Sequence, residues 1–169
     1  MQKTNQRLLL ETAPHGFSPD WVVWQAGKGW QPDTVKPDVG SYDAIRVYLW
    51  VGMLADDDEH KAALVKQLLP MAQSIAQQGV PPEKTDTASG KTSGDGPVGF
   101  SAVMLPMLAN QTAALDVQRQ RINQHPPGDD AYFSASLTLF GQGWDQQRYR
   151  FNRQGELQPA WGGQCVTSK

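Results

Sequence analysis

One cysteine, Cys165, stands four residues from the end of the 169-residue chain, so no disulfide can form within it and a cysteine-based zinc site is excluded. No run of about 18 apolar residues is present, the length a helix needs to cross a bilayer. The opening Met1-Gln-Lys-Thr-Asn-Gln-Arg7 lacks the apolar stretch of a secretory leader. Charge of one sign is also missing. Fifteen Lys+Arg against 17 Asp+Glu give a net charge of -2, with no basic cluster set apart to follow a phosphate backbone, so nucleic acid is not an expected partner. His15, His60 and His125 are far apart and lack the i, i+4 spacing that puts two imidazoles on one helix face, so no metal site is expected.

What remains is a chain with 39% hydrophobic and 19% charged residues, enough to bury one core. Six tryptophans are many for a chain of mean hydropathy -0.51. Aromatic faces beyond the needs of a core suit the flat apolar faces of a ligand.

The pattern is mainly helical. Residues 3–13 predict a short helix with Leu8, Leu9 and Leu10 on its apolar side. From Phe17 to Pro37 the chain turns to aromatics, Gly and Pro, and Trp21-Val-Val-Trp24 and Gly29-Trp30-Gln-Pro32 predict short extended segments joined at Gly27-Lys-Gly29. Gly40-Ser-Tyr-Asp43 opens a helix with Ile45, Leu49 and Met53 along one side, Val47, Trp50 and Leu54 widening it, and Trp50 expected in the core. Glu59–Gln78 predicts the clearest helix, bent or broken at Pro70 and stopped at Gly79. Residues 81–96 read as a polar loop, Val98–Ala109 as a buried helix, and Ala113–Gln124 as a shorter one. A last helix, capped by Asp129 or Asp130, runs through Phe140, and a strand-like tail spans Arg148–Trp161. About five helices with long loops and no strand–helix alternation suit an array of α-hairpins or an α/α toroid.

Two segments invite a functional reading and do not support it. Ser89-Gly-Lys-Thr-Ser93 carries the Gly-Lys-Thr ending of a phosphate-binding loop, but Thr85 stands where the first glycine belongs and no apolar strand leads in. Asp56-Asp-Asp-Glu59 lacks the alternating oxygen ligands and central glycine of a calcium loop and reads as acidic capping before a helix.

Tyr42-Asp-Ala-Ile-Arg46 is different. An acid and an arginine three residues apart at a helix start face the same way and can share a hydrogen-bonded pair. A structural pair is the ordinary outcome of that spacing, but Trp21, Trp24 and Trp30 lie upstream and Tyr42 is adjacent, and aromatics around a carboxylate are what sugar-ring chemistry uses.

The run Gly40-Ser-Tyr-Asp-Ala-Ile-Arg-Val-Tyr-Leu-Trp50 resembles the base-carrying helix of glycoside hydrolase family 8, and Gly96–Ala102 and Tyr132–Phe140 resemble later helices of the same family. The resemblance runs over essentially the whole chain, residues 1–169, which matches the C-terminal portion of a single catalytic domain. It implies half of an (α/α)6 barrel with short β segments in the loops. It also implies inverting endo-hydrolysis of a β-1,4-glucan such as cellulose, no cofactor, and a periplasmic or secreted location. The general base falls on Asp43, with Arg46 steadying it. Tyr42 would line the sugar subsites, and Trp24, Trp30 and Tyr132 are candidates for the cleft, core packing being their alternative. The general acid, a glutamate, belongs to the N-terminal half, the partner this chain would need, and Glu11, Glu59, Glu83 and Glu156 carry no matching motif. Two rival readings use the same aromatics: a non-catalytic module that binds or guides glucan, and a purely structural helical domain with its aromatics buried. A half toroid also predicts exposed apolar surface on Val98–Leu108 and on the Ile45, Leu49, Met53 side.

Overall fold

The computed structural model describes residues 2–161; Cys165 lies outside them. Among the described residues the chain is mainly helical, with seven helices rather than five. In order they are α1 (Gln2–Glu11), β1 (Val22–Gln25), β2 (Gly29–Pro32), β3 (Val39–Gly40), α2 (Ile45–Gly52), α3 (Lys61–Gln67), α4 (Leu69–Gln78), β4 (Pro82–Asp86), β5 (Thr92–Asp95), α5 (Val98–Met104), α6 (Thr112–Gln124), α7 (Tyr132–Asp145), β6 (Tyr149–Phe151) and β7 (Leu157–Pro159).

The core forms around α5. Phe100, Ala102, Val103 and Met104 are buried, as are Leu105 and Leu108 just beyond, because α2, α6 and α7 all pack against this segment. Pro106 ends the helix at Met104, before the predicted Ala109, since it has no N–H to donate and its ring clashes with the preceding turn. Small residues allow the close approach of α7: a Cβ on Gly141 would lie 1.9 Å from the Ala102 carbonyl oxygen, and one on Gly99 2.8 Å from the Ser134 Cα. Two polar connections secure α6. Its buried Gln118 accepts from Ser101 Oγ (2.8 Å) and donates to the Gly79 carbonyl (3.0 Å), and Arg119 forks onto both Asp145 oxygens (2.9 and 2.8 Å).

Several boundaries differ from the sequence expectation, each for a physical reason. The long helix over 59–78 is broken at Leu68 into α3 and α4, with Pro70 in the first turn of α4, where its missing N–H costs nothing. Gly79, at φ +77°, ends α4 as predicted. The acidic run before α3 supplies no N-cap side chain; instead Asp58 accepts from the His60 amide (2.8 Å) and Asp56 binds Lys61 Nζ (2.7 Å). Helix α7 begins without a side-chain cap from Asp129 or Asp130 and continues past Phe140 to Asp145. Gly141 and Gly143 serve as packing positions there, not stops: Gly143 faces the Tyr149 ring, where a Cβ would stand 2.8 Å from Cε1.

The polar segment 81–96 is an antiparallel hairpin, β4–β5, and β3 pairs with its free side through Val39↔Asp86 and Gly40↔Thr85. Its turn holds Ser89-Gly-Lys91. The Asp86 carboxylate accepts from the Ser89 amide (2.8 Å), and this bond, with a smaller contribution from the Ser89 side chain, holds Asp86 below the ordinary carboxylate range.

The apolar exposure expected of a half toroid is not where the sequence placed it. Ile45, Leu49 and Met53 are buried, as is the segment through Leu108, because these helices enclose one another. Exposed apolar side chains stand instead on α7, at Tyr132, Phe133, Leu139 and Phe140, and at Trp50. Trp50 is 51% exposed, not core: α2 buries Ile45, Tyr48, Leu49 and Val51, leaving Arg46 and Trp50, four apart, on the opposite stripe. Its ring lies against Phe140 and Phe151, with centroids 6.3 and 6.2 Å away.

Candidate active site

The turn that carries Asp43 is built by long-range contacts, not by local capping. Helix α2 has Ala44 at its N-cap with no side-chain bond of its own, yet three peptide N–H groups at this turn find an acceptor. One oxygen, Oδ1 of Asp20, accepts from the amides of Ser41 (2.7 Å), Asp43 (3.1 Å) and Ala44 (2.8 Å). Ser41 Oγ donates to the Glu83 carbonyl on β4 (2.6 Å), so the turn is held from a second direction. Asp20 is itself fixed: its amide donates to the Val39 carbonyl (2.7 Å), and the nearby Ser18 amide donates to the Tyr48 hydroxyl (2.8 Å). Burial, with a smaller push from the Asp20 charge, raises the Tyr48 phenol well above its ordinary range. Gly40 makes room for this junction, since a Cβ there would lie 2.2 Å from the Ser18 carbonyl oxygen.

On this platform Asp43 and Arg46 meet as the spacing predicts. Arg46 Nη2 donates to Asp43 Oδ1 at 2.5 Å, and both side chains are about half exposed, at 50% and 42%. Such an exposed pair adds little stability, so its value lies in where it holds the carboxylate. Asp43 is open to water on one side.

Tyr42 sits between the core and this surface. Its ring lies edge-to-face with Phe100 (5.1 Å) and tilted against Phe133 (5.6 Å), and it remains 43% exposed. Tyr132, the neighbour of Phe133, is exposed. Trp24 and Trp30 face each other across the β1–β2 hairpin in register, with centroids 4.9 Å apart and planes at 68°. That hairpin leaves the Asp20 junction directly through Trp21. The structure therefore pairs Asp43 with Arg46, turns the adjacent Tyr42 ring onto Phe100 and Phe133, and sets Trp24 and Trp30 as a separate pair rooted at the same junction.

Sequence reasoning missed Asp20. It lies 23 residues before Asp43, beyond the reach of any periodicity, and Pro19-Asp20 reads locally as a turn.

A groove of about 670 Å³, lined by Asp57, Trp144, Arg150 and Gln158 among others, lies at the far end of α2, roughly 12 Å of helix from Asp43. Two of its charged groups, Asp56 and Arg150, are engaged. The Arg150 guanidinium covers the Trp144 ring at 4.1 Å, and Asp56 is bound by Lys61. Among the described residues no group of three or more His, Cys, Asp or Glu side chains is placed to hold a metal ion, and no helix is long and apolar enough to cross a membrane.

Comparison with known proteins decides the family: the one described as Glycosyl hydrolases family 8 matches residues 1–147. The chain belongs to glycosyl hydrolase family 8. This family 8 chain is 57% identical to an endoglucanase of Escherichia coli (strain K12) over 168 residues, which are 99% of the chain and 45% of that protein. It is 48% identical to an endoglucanase of Xanthomonas axonopodis pv. citri (strain 306), covering 92% of the chain and 41% of the relative. The chain thus spans about half the length of the curated relatives it matches. Among solved structures, an endo-1,4-D-glucanase from Vibrio fischeri ES114 superposes with a TM-score of 0.81 at 37% identity, over 95% of this chain and 48% of that one.

Proposed function

We propose that this chain forms part of an inverting endo-β-1,4-glucanase and supplies its general base. Asp43 takes a proton from a water molecule as that water attacks the anomeric carbon from the face opposite the leaving oxygen. Arg46 keeps the carboxylate aimed at the water. The proton given to the leaving oxygen comes from a carboxylic acid about 6.5–9.5 Å from Asp43, the separation that leaves room for the water. That acid belongs to the part of the relatives' length that this chain does not span, and the two portions together make an (α/α)6 barrel of which this one is half. The exposed stripe of α7 and Trp50 is a surface for that partner portion. Tyr42, Trp24, Trp30 and Tyr132 offer ring faces to the glucose units of a cellulose chain, and the protein acts in the periplasm or outside the cell.

The observation that carries this reading is the Asp43–Arg46 pair, half exposed at a rigidly held turn of a family 8 chain. A second reading is favoured by one specific feature, the Trp24–Trp30 pair with Trp24 54% exposed, which suits a module that binds glucan without cleaving it. Asp43→Asn separates the two. With the chain joined to the portion of the Escherichia coli endoglucanase that it does not cover, the wild type is expected to release reducing ends from carboxymethylcellulose. The variant is expected to lose that turnover by ~10²-fold or more while its tryptophan fluorescence still responds to soluble glucan. Full turnover in the variant overturns the base assignment, and binding without turnover in the wild type favours the module.

A further inference from the structure

The three amide bonds onto one oxygen of Asp20 have a consequence for catalysis. We infer that Asp20 is a positioning residue of the hydrolytic site, fixing the backbone of Asp43 from outside its own helix; this rests on the reading of Asp43 as the base.

An ordinary helix start is capped by the side chain at the N-cap itself, so the cap and the helix move as one body. Here the N-cap residue is Ala44, and the acceptor comes from a segment more than 20 residues earlier. The Asp20 oxygen engages Ser41, Asp43 and Ala44 together, so the peptide on each side of the Asp43 Cα is held. Arg46 fixes the other end, the carboxylate itself. Between these two restraints the side chain has little freedom to swing.

The segment that carries Asp20 is tied to the sheet as well as to the helix: the Asp20 amide donates to the Val39 carbonyl on β3 and Gly40 is packed against the Ser18 carbonyl, while the Ser18 amide donates to the buried Tyr48 hydroxyl of α2 itself. The clamp thus refers the base to the junction of β3, β4 and α2, from which the Trp24–Trp30 hairpin also departs. A base and the surface that receives the sugar are fixed to one frame. A displacement of about 1 Å at such a base costs on the order of 10²-fold in rate, whereas binding through the aromatic faces is far less sensitive to it. Loss of the clamp should therefore appear in kcat and spare KM.

The test compares four variants of the chain, each joined to the portion of the Escherichia coli endoglucanase that it does not cover, with kcat and KM measured on carboxymethylcellulose alongside the thermal midpoint. Asp20→Ala is expected to lower kcat about 10–100-fold with KM within about 2-fold of wild type. Asp20→Asn keeps a neutral, weaker acceptor and is expected to fall between, about 3–10-fold down in kcat. Gln118→Ala removes buried hydrogen bonds to Ser101 and Gly79 that involve none of Asp20, Asp43 and Arg46, so it destabilises the fold while leaving kcat within about 2-fold; it is the control for stability alone. Asp43→Asn reports on the base. If Asp43→Asn is inactive and both Asp20 variants behave like Gln118→Ala, the positioning role is overturned and the base assignment stands. If Asp43→Asn keeps full turnover, or the wild-type assembly has none, the underlying functional reading fails with it. Should Asp20→Ala not fold, Asp20→Asn decides: a kcat loss at constant KM supports the role, and kcat equal to that of Gln118→Ala overturns it.

Discussion

Tyr48 shows how a single residue joins stability to the geometry of the site. Its ring is buried in α2 while its hydroxyl accepts from the Ser18 amide at 2.8 Å, two residues before Asp20. Tyr48→Phe leaves that amide buried without a partner and is expected to cost about 1–3 kcal/mol, read by urea unfolding at neutral pH. The pH dependence has a definite sign. Burial raises the phenol in the folded chain, so the unfolded chain loses its proton first, at about pH 10. The contribution to stability is therefore complete below about pH 10 and declines as pH rises beyond it. Tyr149, raised by its own burial, adds to this alkaline limb. Tyr48→Phe should flatten the limb without abolishing it, and an unchanged slope would mean that Tyr48 ionises freely in the folded state.

At the scale of elements, α5 and α7 cross closely enough that their backbones nearly touch at Gly141. A Cβ on Gly141 would meet the Ala102 carbonyl oxygen at 1.9 Å, and that atom is backbone and cannot rotate away. Gly141→Ala must push the two helices apart and is expected to cost ~1–3 kcal/mol or more, despite the gain in helix propensity. Gly143→Ala meets only the edge of the Tyr149 ring at 2.8 Å, a side chain able to shift, and should cost less. Equal thermal midpoints for the two variants would contradict this account of the packing. The same helices explain which parts of the fold were legible in the sequence. Helices announced by apolar periodicity and a terminal Gly or Pro, such as α4 with Gly79 and α6, fall close to where they are predicted. The β4–β5 hairpin was not legible because its side chains are mostly polar and show no apolar alternation, so backbone pairing and tertiary contacts at Pro82 and Thr85, not a local pattern, make it a sheet. Trp50 was misplaced because hydrophobicity alone assigns a tryptophan to the core. The Arg46–Trp50 spacing, which puts it on the exposed stripe with the site arginine, was the available signal. The Asp43–Arg46 pair was legible from a local spacing of three, whereas Asp20 reaches the same turn through tertiary structure.

At the scale of the whole molecule, the chain closes a core of its own around α5, yet it leaves an apolar stripe on α7 that continues to Trp50. It spans about half the length of its curated relatives. Among its described glutamates, Glu11 is paired with Arg7, Glu59 lies 3.7 Å from His60, and Glu156 accepts from Asn152; Glu83 offers the site its backbone carbonyl. The central claim is that this chain holds the base and lacks the acid. The most direct measurement is the release of reducing ends from carboxymethylcellulose by the purified chain alone, beside the same chain joined to the complementary portion of the Escherichia coli endoglucanase. The account predicts no measurable turnover from the chain alone and turnover from the assembly, because on the proposed reading the chain alone has no group to protonate the leaving oxygen, a contribution worth ~10²–10⁴-fold. Turnover by the isolated chain that disappears in Asp43→Asn would contradict it, placing the acid within these 169 residues.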